Sequence, residues 1–201
     1  DKPLSPELFE KFINTTKNKL KKRNRYFIDV PRKVTEMERL ALDFHNKFPN
    51  AHLIMDIDHT LLSRKKGTES NEELVQETSK MCLRLKKSIR NTNIILSQLS
   101  RSVESPERAR DFYDPRVSDL VWSSELEHDA DTIILLHQPF RLNVKMYKVG
   151  DQSINAEDLL VAIVAKNRDG AIGTLLFDID LAINKIVEKN FNKTGFKAPL
   201  K

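Results

Sequence analysis

Ile94-Ile-Leu-Ser-Gln-Leu-Ser-Arg101 reads as an apolar strand that runs out into polar residues, and the pattern recurs along the chain. Similar apolar runs, rich in β-branched residues, occur at Tyr26 to Val30, Leu53 to Ile57, Thr132 to His137, Leu159 to Ala165 and Thr174 to Ile179. They are continuous more often than alternating, as expected of strands covered on both faces. Helical patterns lie between them. Ser5-Pro6-Glu7 reads as a helix start with an apolar stripe of Leu8, Phe9, Phe12 and Ile13. Thr35 is expected to cap a second helix with Met37, Leu40, Ala41, Phe44 and Phe48 on one side. A third begins at Ser70 or Asn71 and places Leu74, Val75, Thr78, Met81, Cys82, Leu85 and Ile89 on one face. Strands alternating with helices predict an α/β fold with a mostly parallel sheet and helices on both faces. Asp169-Gly170, between two strand-like runs, is a hairpin signal that makes the last strands antiparallel. The connection from Ser102 to Ser118 has no apolar period and is expected to be a mobile loop within the domain. Residues 1–189 are read as one domain and 190–201 as a tail.

The chain has 201 residues, 39% hydrophobic and 31% charged, which is ordinary for a globular protein. Its formal net charge of +5 and pI near 9.2 favour an anionic partner without requiring one. Cys82 is the single cysteine and cannot form an internal disulfide. No apolar run reaches the roughly 18 to 20 residues of a membrane span, so a soluble protein of a reducing compartment, with no membrane partner, is expected. The first residue is Asp1 and no signal-peptide order follows it, so the chain reads as trimmed, processed or cut from something longer. His45, His52, His128 and His137 show no metal-ligand spacing.

Leu53-Ile-Met-Asp-Ile-Asp-His-Thr-Leu-Leu62 is an apolar strand ending in carboxylates, and two chemistries use such a place. A Walker B strand lifts an aspartate to the sheet edge to hold magnesium. The Asp-x-Asp-x-Thr pattern of haloacid-dehalogenase-type phosphatases supplies a nucleophilic aspartate and an acid/base aspartate, and Asp56, Asp58 and Thr60 fit it. The further lysine and acids that such a phosphatase needs have only Lys166, Asp178 and Asp180 as candidates.

Four blocks in order, Ile94 to Arg101, Ser118-Asp-Leu, Glu125-Leu-Glu-His-Asp-Ala-Asp131 and Ala165-Lys-Asn-Arg-Asp-Gly-Ala-Ile-Gly-Thr174, resemble the C-terminal ATPase domain of DnaB-type replicative helicases. The resemblance begins at Leu4-Ser-Pro-Glu-Leu-Phe-Glu-Lys11 and Tyr26-Phe-Ile-Asp-Val-Pro31 and covers about 175 residues. It implies a RecA-like fold lacking its N-terminal part, because the chain contains no Gly-x-x-x-x-Gly-Lys-Ser/Thr loop. It implies ATP and Mg2+ as cofactors, Asp58 as the Walker B acid with Asp56 as fallback, and Gln98 as a γ-phosphate sensor. Lys166 and Arg168 would reach a neighbour's ATP in trans. Contacts to single-stranded DNA would come from Arg64, Lys65 and Lys66 in one loop and from Arg101, Arg108, Arg110 and Arg116 in another. The implied partners are further copies in a hexamer, or a complementary chain carrying the Walker A motif, with primase and a helicase loader. The implied setting is the cytoplasm of a bacterial or phage-infected cell. By itself the chain is expected to show little ATPase activity and to expose an apolar sheet edge. A catalytically dead RecA-like module and a magnesium-dependent phosphatase using Asp56 are the alternatives.

Overall fold

A computed structural model describes residues 5, 7, 10, 11, 13–15, 26–28, 30–58, 70–121 and 124–189. The chain divides into two compact units, residues 1–31 and 32–201. In the first, the described residues from Glu7 to Thr15 are helical, as the Ser-Pro-Glu start predicts, whereas most of the expected apolar stripe lies outside the described residues. Of the expected strand at Tyr26 to Val30, the described Tyr26, Phe27 and Ile28 have no regular secondary structure and Val30 lies in a bend.

The second unit begins with helix α1 (Val34–Lys47), strand β1 (Leu53–Ile57), helix α2 (Asn71–Ser88) and strand β2 (Asn91–Ile95). Strands β1 and β2 pair in parallel, from Leu53 beside Asn91 to Ile57 beside Ile95. Ser70 caps α2 with a full capping box: its hydroxyl accepts from the Glu73 N–H while the Glu73 carboxylate accepts from the Ser70 N–H. Helix α1 starts one residue before the expected cap, with Lys33 at the cap position and no side-chain hydrogen bond there, so Thr35 lies inside the helix. All seven residues read as the apolar face of α2 are buried. Leu74, Met81, Cys82, Leu85 and Ile89 of that face form the first core with Val34 and Ala41 of α1 and Leu53, Met55, Ile57 and Ile95 of the strands. Thr78, fully buried, gives its hydroxyl proton to the Leu74 carbonyl and so needs no other partner.

Among the described residues the parallel pair is covered on one face only. Met55 and Ile57 point inward, while Ile54 (61% exposed), Asp56 and Ile94 alternate outward. The continuous apolar character of these strands predicts cover on both faces, and the described residues supply it on one.

The remainder is antiparallel, more extensively than the single Asp-Gly hairpin predicts. Strand β3 (Thr132–His137) pairs with β6 (Leu159–Asn167), β6 with β7 (Gly173–Asp180), and β7 with β8 (Lys185–Glu188). A separate hairpin joins β4 (Met146–Val149) to β5 (Gln152–Asn155) through Gly150, whose φ of +59° is a left-handed position that suits glycine. Tyr147 and Ile154 of that hairpin pack with Leu159, Val161 and Leu176 in a second core. A short helix, α3 (Ser124–Asp129), precedes β3.

Burial inside the first core pushes the Cys82 thiol up to about 12. Cys82 is therefore expected to resist alkylation near pH 8 in the folded protein and to react once urea unfolds it, because the thiolate is the nucleophile. The folded chain holds this proton more tightly than the unfolded one, so stability falls as pH rises above the unfolded value of 9.0. Leu74→Ala should cost about 2–5 kcal/mol in urea unfolding. Ile54→Ala, on the open face, should stay within about 0.5 kcal/mol; equal losses at the two positions would contradict the one-sided core.

Candidate nucleotide and nucleic-acid site

Asp58 is the residue immediately after β1, exposed, and Asp56 lies two residues earlier on the same outward side. Beside them β2 continues past Ile95: the Leu96 N–H donates to the Ile57 carbonyl at 3.0 Å, and outward alternation carries on through Leu96 to Gln98. Two carboxylates and an amide therefore end on one side of two adjacent parallel strands, at their carboxyl ends, where open α/β sheets bind ligands. His59, Thr60 and the expected DNA-contacting Arg64, Lys65 and Lys66 lie outside the described residues. Among the described residues no group of three or more His, Cys, Asp or Glu is placed to hold a metal ion.

Gln98 also stands at the base of a closed loop. Its carbonyl accepts from the Val121 N–H at 3.2 Å, Leu99 bridges Leu120, and the Ser100 N–H donates to the Asp119 carbonyl at 2.6 Å. The intervening residues, expected as an unstructured mobile loop, are instead three 3-10 turns, Arg101–Glu104, Pro106–Asp111 and Val117–Asp119. Asp119 holds them together. The residue is 4% exposed, and its carboxylate accepts from both Arg108 Nη atoms (3.2 and 3.0 Å) and from the Arg116 N–H (2.6 Å). Burial works against its charge, yet the Arg108 and Arg116 hydrogen bonds hold its carboxyl below the usual range. Sequence reasoning missed this pairing because charged residues in a loop without apolar period look solvated. Its only trace was the Ser118-Asp-Leu block.

The four loop arginines thus divide. The Arg108 guanidinium is nearly buried in its ion pair and also donates to the Asp114 carbonyl at 2.5 Å, so it cannot contact DNA in this conformation. Arg116 pairs with Asp111 at 2.8 Å on the surface, and Arg101 and Arg110 are exposed. The far end of the loop is anchored to the second core. Tyr147 donates to the Asp114 carboxylate at 2.8 Å, Phe112 packs edge-on against Tyr147, and His137 Nε2 lies 2.8 Å from the Phe112 carbonyl. Burial raises the Asp114 carboxyl and the Tyr147 phenol and lowers the His137 imidazole. All three are therefore biased toward their neutral forms, which suits an apolar anchor. These contacts hold Phe112 and Tyr113 at φ of +54° and +58°, a costly conformation for bulky residues.

Lys166 and Arg168 emerge on one side at the end of β6, beyond a register shift between Ile133 and Ile134 that re-aims them. Lys166 Nζ donates to the Glu127 and His128 carbonyls (2.5 and 3.1 Å) at the carboxyl end of α3. Arg168 donates to the His128 carbonyl (2.7 Å) and to Asp131 Oδ1 (3.1 Å). The other acids weighed with Asp56, Asp178 and Asp180, sit in β7 of the antiparallel sheet, and Asp178 is paired with Lys189.

The sequence profile of the DnaB-like helicase C terminal domain matches residues 3–188. The chain belongs to the DnaB-like helicase C terminal domain family. A probable replicative DNA helicase of Trieres chinensis is 33% identical over 135 residues, covering 66% of this chain and 28% of that protein. The replicative DNA helicase DnaC of Bacillus subtilis is 31% identical over 144 residues, covering 69% and 29%. The chain thus spans less than a third of the length of these relatives. Among solved structures, a DnaB-like replicative helicase, in a structure concerned with its interactions with primase, aligns with a TM-score of 0.74 at 24% identity, over 92% of this chain and 43% of its own. A separately solved ATPase domain aligns with the same score and identity over 93% and 62%. These two likenesses speak for the fold, an α/β RecA-like one with a parallel pair and antiparallel strands. Membership of the helicase family does not favour the phosphatase reading of Asp56. No helix among the described residues of this DnaB-like domain is long and apolar enough to cross a membrane.

Asp119→Ala would strand the Arg108 charge and should destabilise the domain by about 3–5 kcal/mol. Replacing both residues together by apolar ones of similar size should cost less than the single change, as read by urea unfolding. Because the folded Asp119 carboxyl is lowered, its contribution is complete above the unfolded value near 3.8 and is lost as pH falls through the folded one. Asp119→Asn should accordingly flatten the acid limb of the stability profile.

Proposed function

We propose that this chain forms part of the motor domain of a replicative DNA helicase, in which ATP hydrolysis between the subunits of a hexameric ring drives movement along single-stranded DNA. The supporting observation is that Asp58, directly after β1, and Gln98, three residues after β2, are both exposed beyond the carboxyl ends of adjacent parallel strands, with Asp56 exposed near the end of β1. An exposed aspartate at such a place fits Mg2+, which keeps several waters and takes one or two carboxylates plus nucleotide oxygens. Asp58 would hold the ion, which when bound would neutralise charge on the nucleotide phosphates. Gln98 carries both a donor and an acceptor on its side chain, and its backbone carbonyl, bonded to the Val121 N–H, stands at the base of the Arg101–Asp119 loop. Lys166 and Arg168 are assigned to a neighbouring subunit's nucleotide.

Among the described residues the outer face of the parallel pair carries no cover, which supports a place there for further polypeptide. Ile54, Ile94 and Leu96 are each about half exposed or more, and an apolar strand face of this kind gains stability when covered. We assign that cover to a segment carrying the Walker A motif, in the same protein or a complementary chain. Arg101 and Arg110 are the loop residues assigned to DNA phosphates, and Arg64, Lys65 and Lys66 are assigned to the same task. Primase and a helicase loader are assigned as further partners of the assembled ring, and the cytoplasm as its setting.

The test is Asp58→Asn in a protein that also contains the phosphate loop. DNA-stimulated ATP hydrolysis should fall on the order of 100-fold or more. Replacing Arg101 and Arg110 by Ala should lower the slope of log affinity for single-stranded DNA against log salt by about 0.7 for each phosphate no longer neutralised. Full ATPase activity in Asp58→Asn, together with its loss in Asp56→Asn, would move the metal site to Asp56.

A further inference from the structure

Asp131 is bonded from three directions. Its carbonyl accepts the Arg168 N–H at 2.9 Å, its Oδ1 accepts from Arg168 Nη1 at 3.1 Å, and its Oδ2 takes Lys86 Nζ at 2.5 Å. Lys86 belongs to the last turn of α2, the helix whose other face packs against Ile57 and Met55 of the strand that ends at Asp58. Arg168 is thus gripped by backbone and side chain at one residue, and that residue is tied to the helix behind the chain's own carboxylate site. The grip leaves capacity to spare. A guanidinium has five N–H donors, and the contacts to Asp131 and the His128 carbonyl use two of them.

We propose that Asp131 is a positioning residue for Arg168, and that the Lys86–Asp131–Arg168 triad links the hairpin that one subunit offers its neighbour to the helix backing that subunit's own nucleotide site. The proposal rests on the assignment of Arg168 to a neighbour's nucleotide. Arginine is the residue at issue because its long side chain loses much freedom when fixed, and an unheld guanidinium would have to be ordered anew at each encounter. The carboxylate does that ordering beforehand. The Lys86 hydrogen bond, joined by the charges of Lys86 and Arg168, holds the Asp131 carboxyl below the usual range.

The experiment uses the complete, assembled helicase and compares Asp131→Ala, Arg168→Ala and the double variant by ATP turnover, with melting temperature and ring assembly measured alongside. Asp131→Ala should lower kcat by up to about 100-fold, the scale of a misplaced catalytic contact, with KM for ATP little changed. The double variant should be no worse than Arg168→Ala alone, since Asp131 acts only through Arg168. Asp131→Glu should recover part of the loss, and Lys86→Ala should lower kcat in the same direction by less. Losses that multiply in the double variant, with assembly and melting unchanged, would overturn the positioning role while leaving Arg168 in place. Unchanged turnover in Arg168→Ala would instead remove the assignment of Arg168 itself, and the proposal with it.

Discussion

One stripe of side chains on α2 holds the parallel pair in place, and the rest of the site depends on it. Leu74, Met81 and Leu85 are all but fully buried against β1, β2 and α1, and each such side chain contributes about 1.5–3 kcal/mol by leaving water. Because successive residues of a strand face opposite ways, fixing Met55 and Ile57 inward forces Ile54, Asp56 and Asp58 outward. The chemistry of the strand end is thus set by the packing behind it. A slip of one residue would bury the carboxylates and expose the core, at a cost far above the stability of a typical domain.

From that strand end two connections lead outward, each through a buried or gripped carboxylate. Gln98 passes into a loop whose two ends are joined at Leu99 and Leu120 and whose interior is organised by Asp119. Asp119 leaves Arg101 and Arg110 exposed while committing Arg108 to the interior. Separating that pair would leave a buried charge without its partner, so it ties the turns of the loop together. The second connection runs through α2 to Lys86 and Asp131, and from there to Arg168. In both, an acidic residue fixes the geometry of an arginine.

Much of this was legible in the sequence, and what was not has physical reasons. Strands β1 and β3 lie at their expected residues because apolar runs bounded by polar clusters have few other uses, and the α2 face was complete because seven residues share a helical period. The resemblance carried by the Ser-Gln-Leu-Ser and Lys-x-Arg-x-Gly segments gave the family. The β4–β5 hairpin was missed although Gly150-Asp151 is a turn signal, since its strands are only four residues each. The described Tyr26, Phe27 and Ile28 have the composition of a strand without its regular structure, because pairing is not written in a single segment. The buried Arg108–Asp119 pair was invisible for the same reason: burial of a charge depends on what folds over it. Thr35 yielded the cap position to Lys33 because the start of α1 was decided by burial of Val34, not by a side-chain hydrogen bond.

The placement of metal and nucleotide is open to paramagnetic broadening by Mn2+, bound in place of Mg2+ with a non-hydrolysable ATP analogue, in the assembled helicase with its phosphate loop present. Amide signals of Asp56, Ile57 and Asp58 and of Leu96 to Gln98 should broaden together, while those of Asp178 and Asp180 in β7 stay sharp. Broadening centred on β7, or none at the end of β1, would contradict the placement of the metal and nucleotide at the carboxyl edge of the parallel pair.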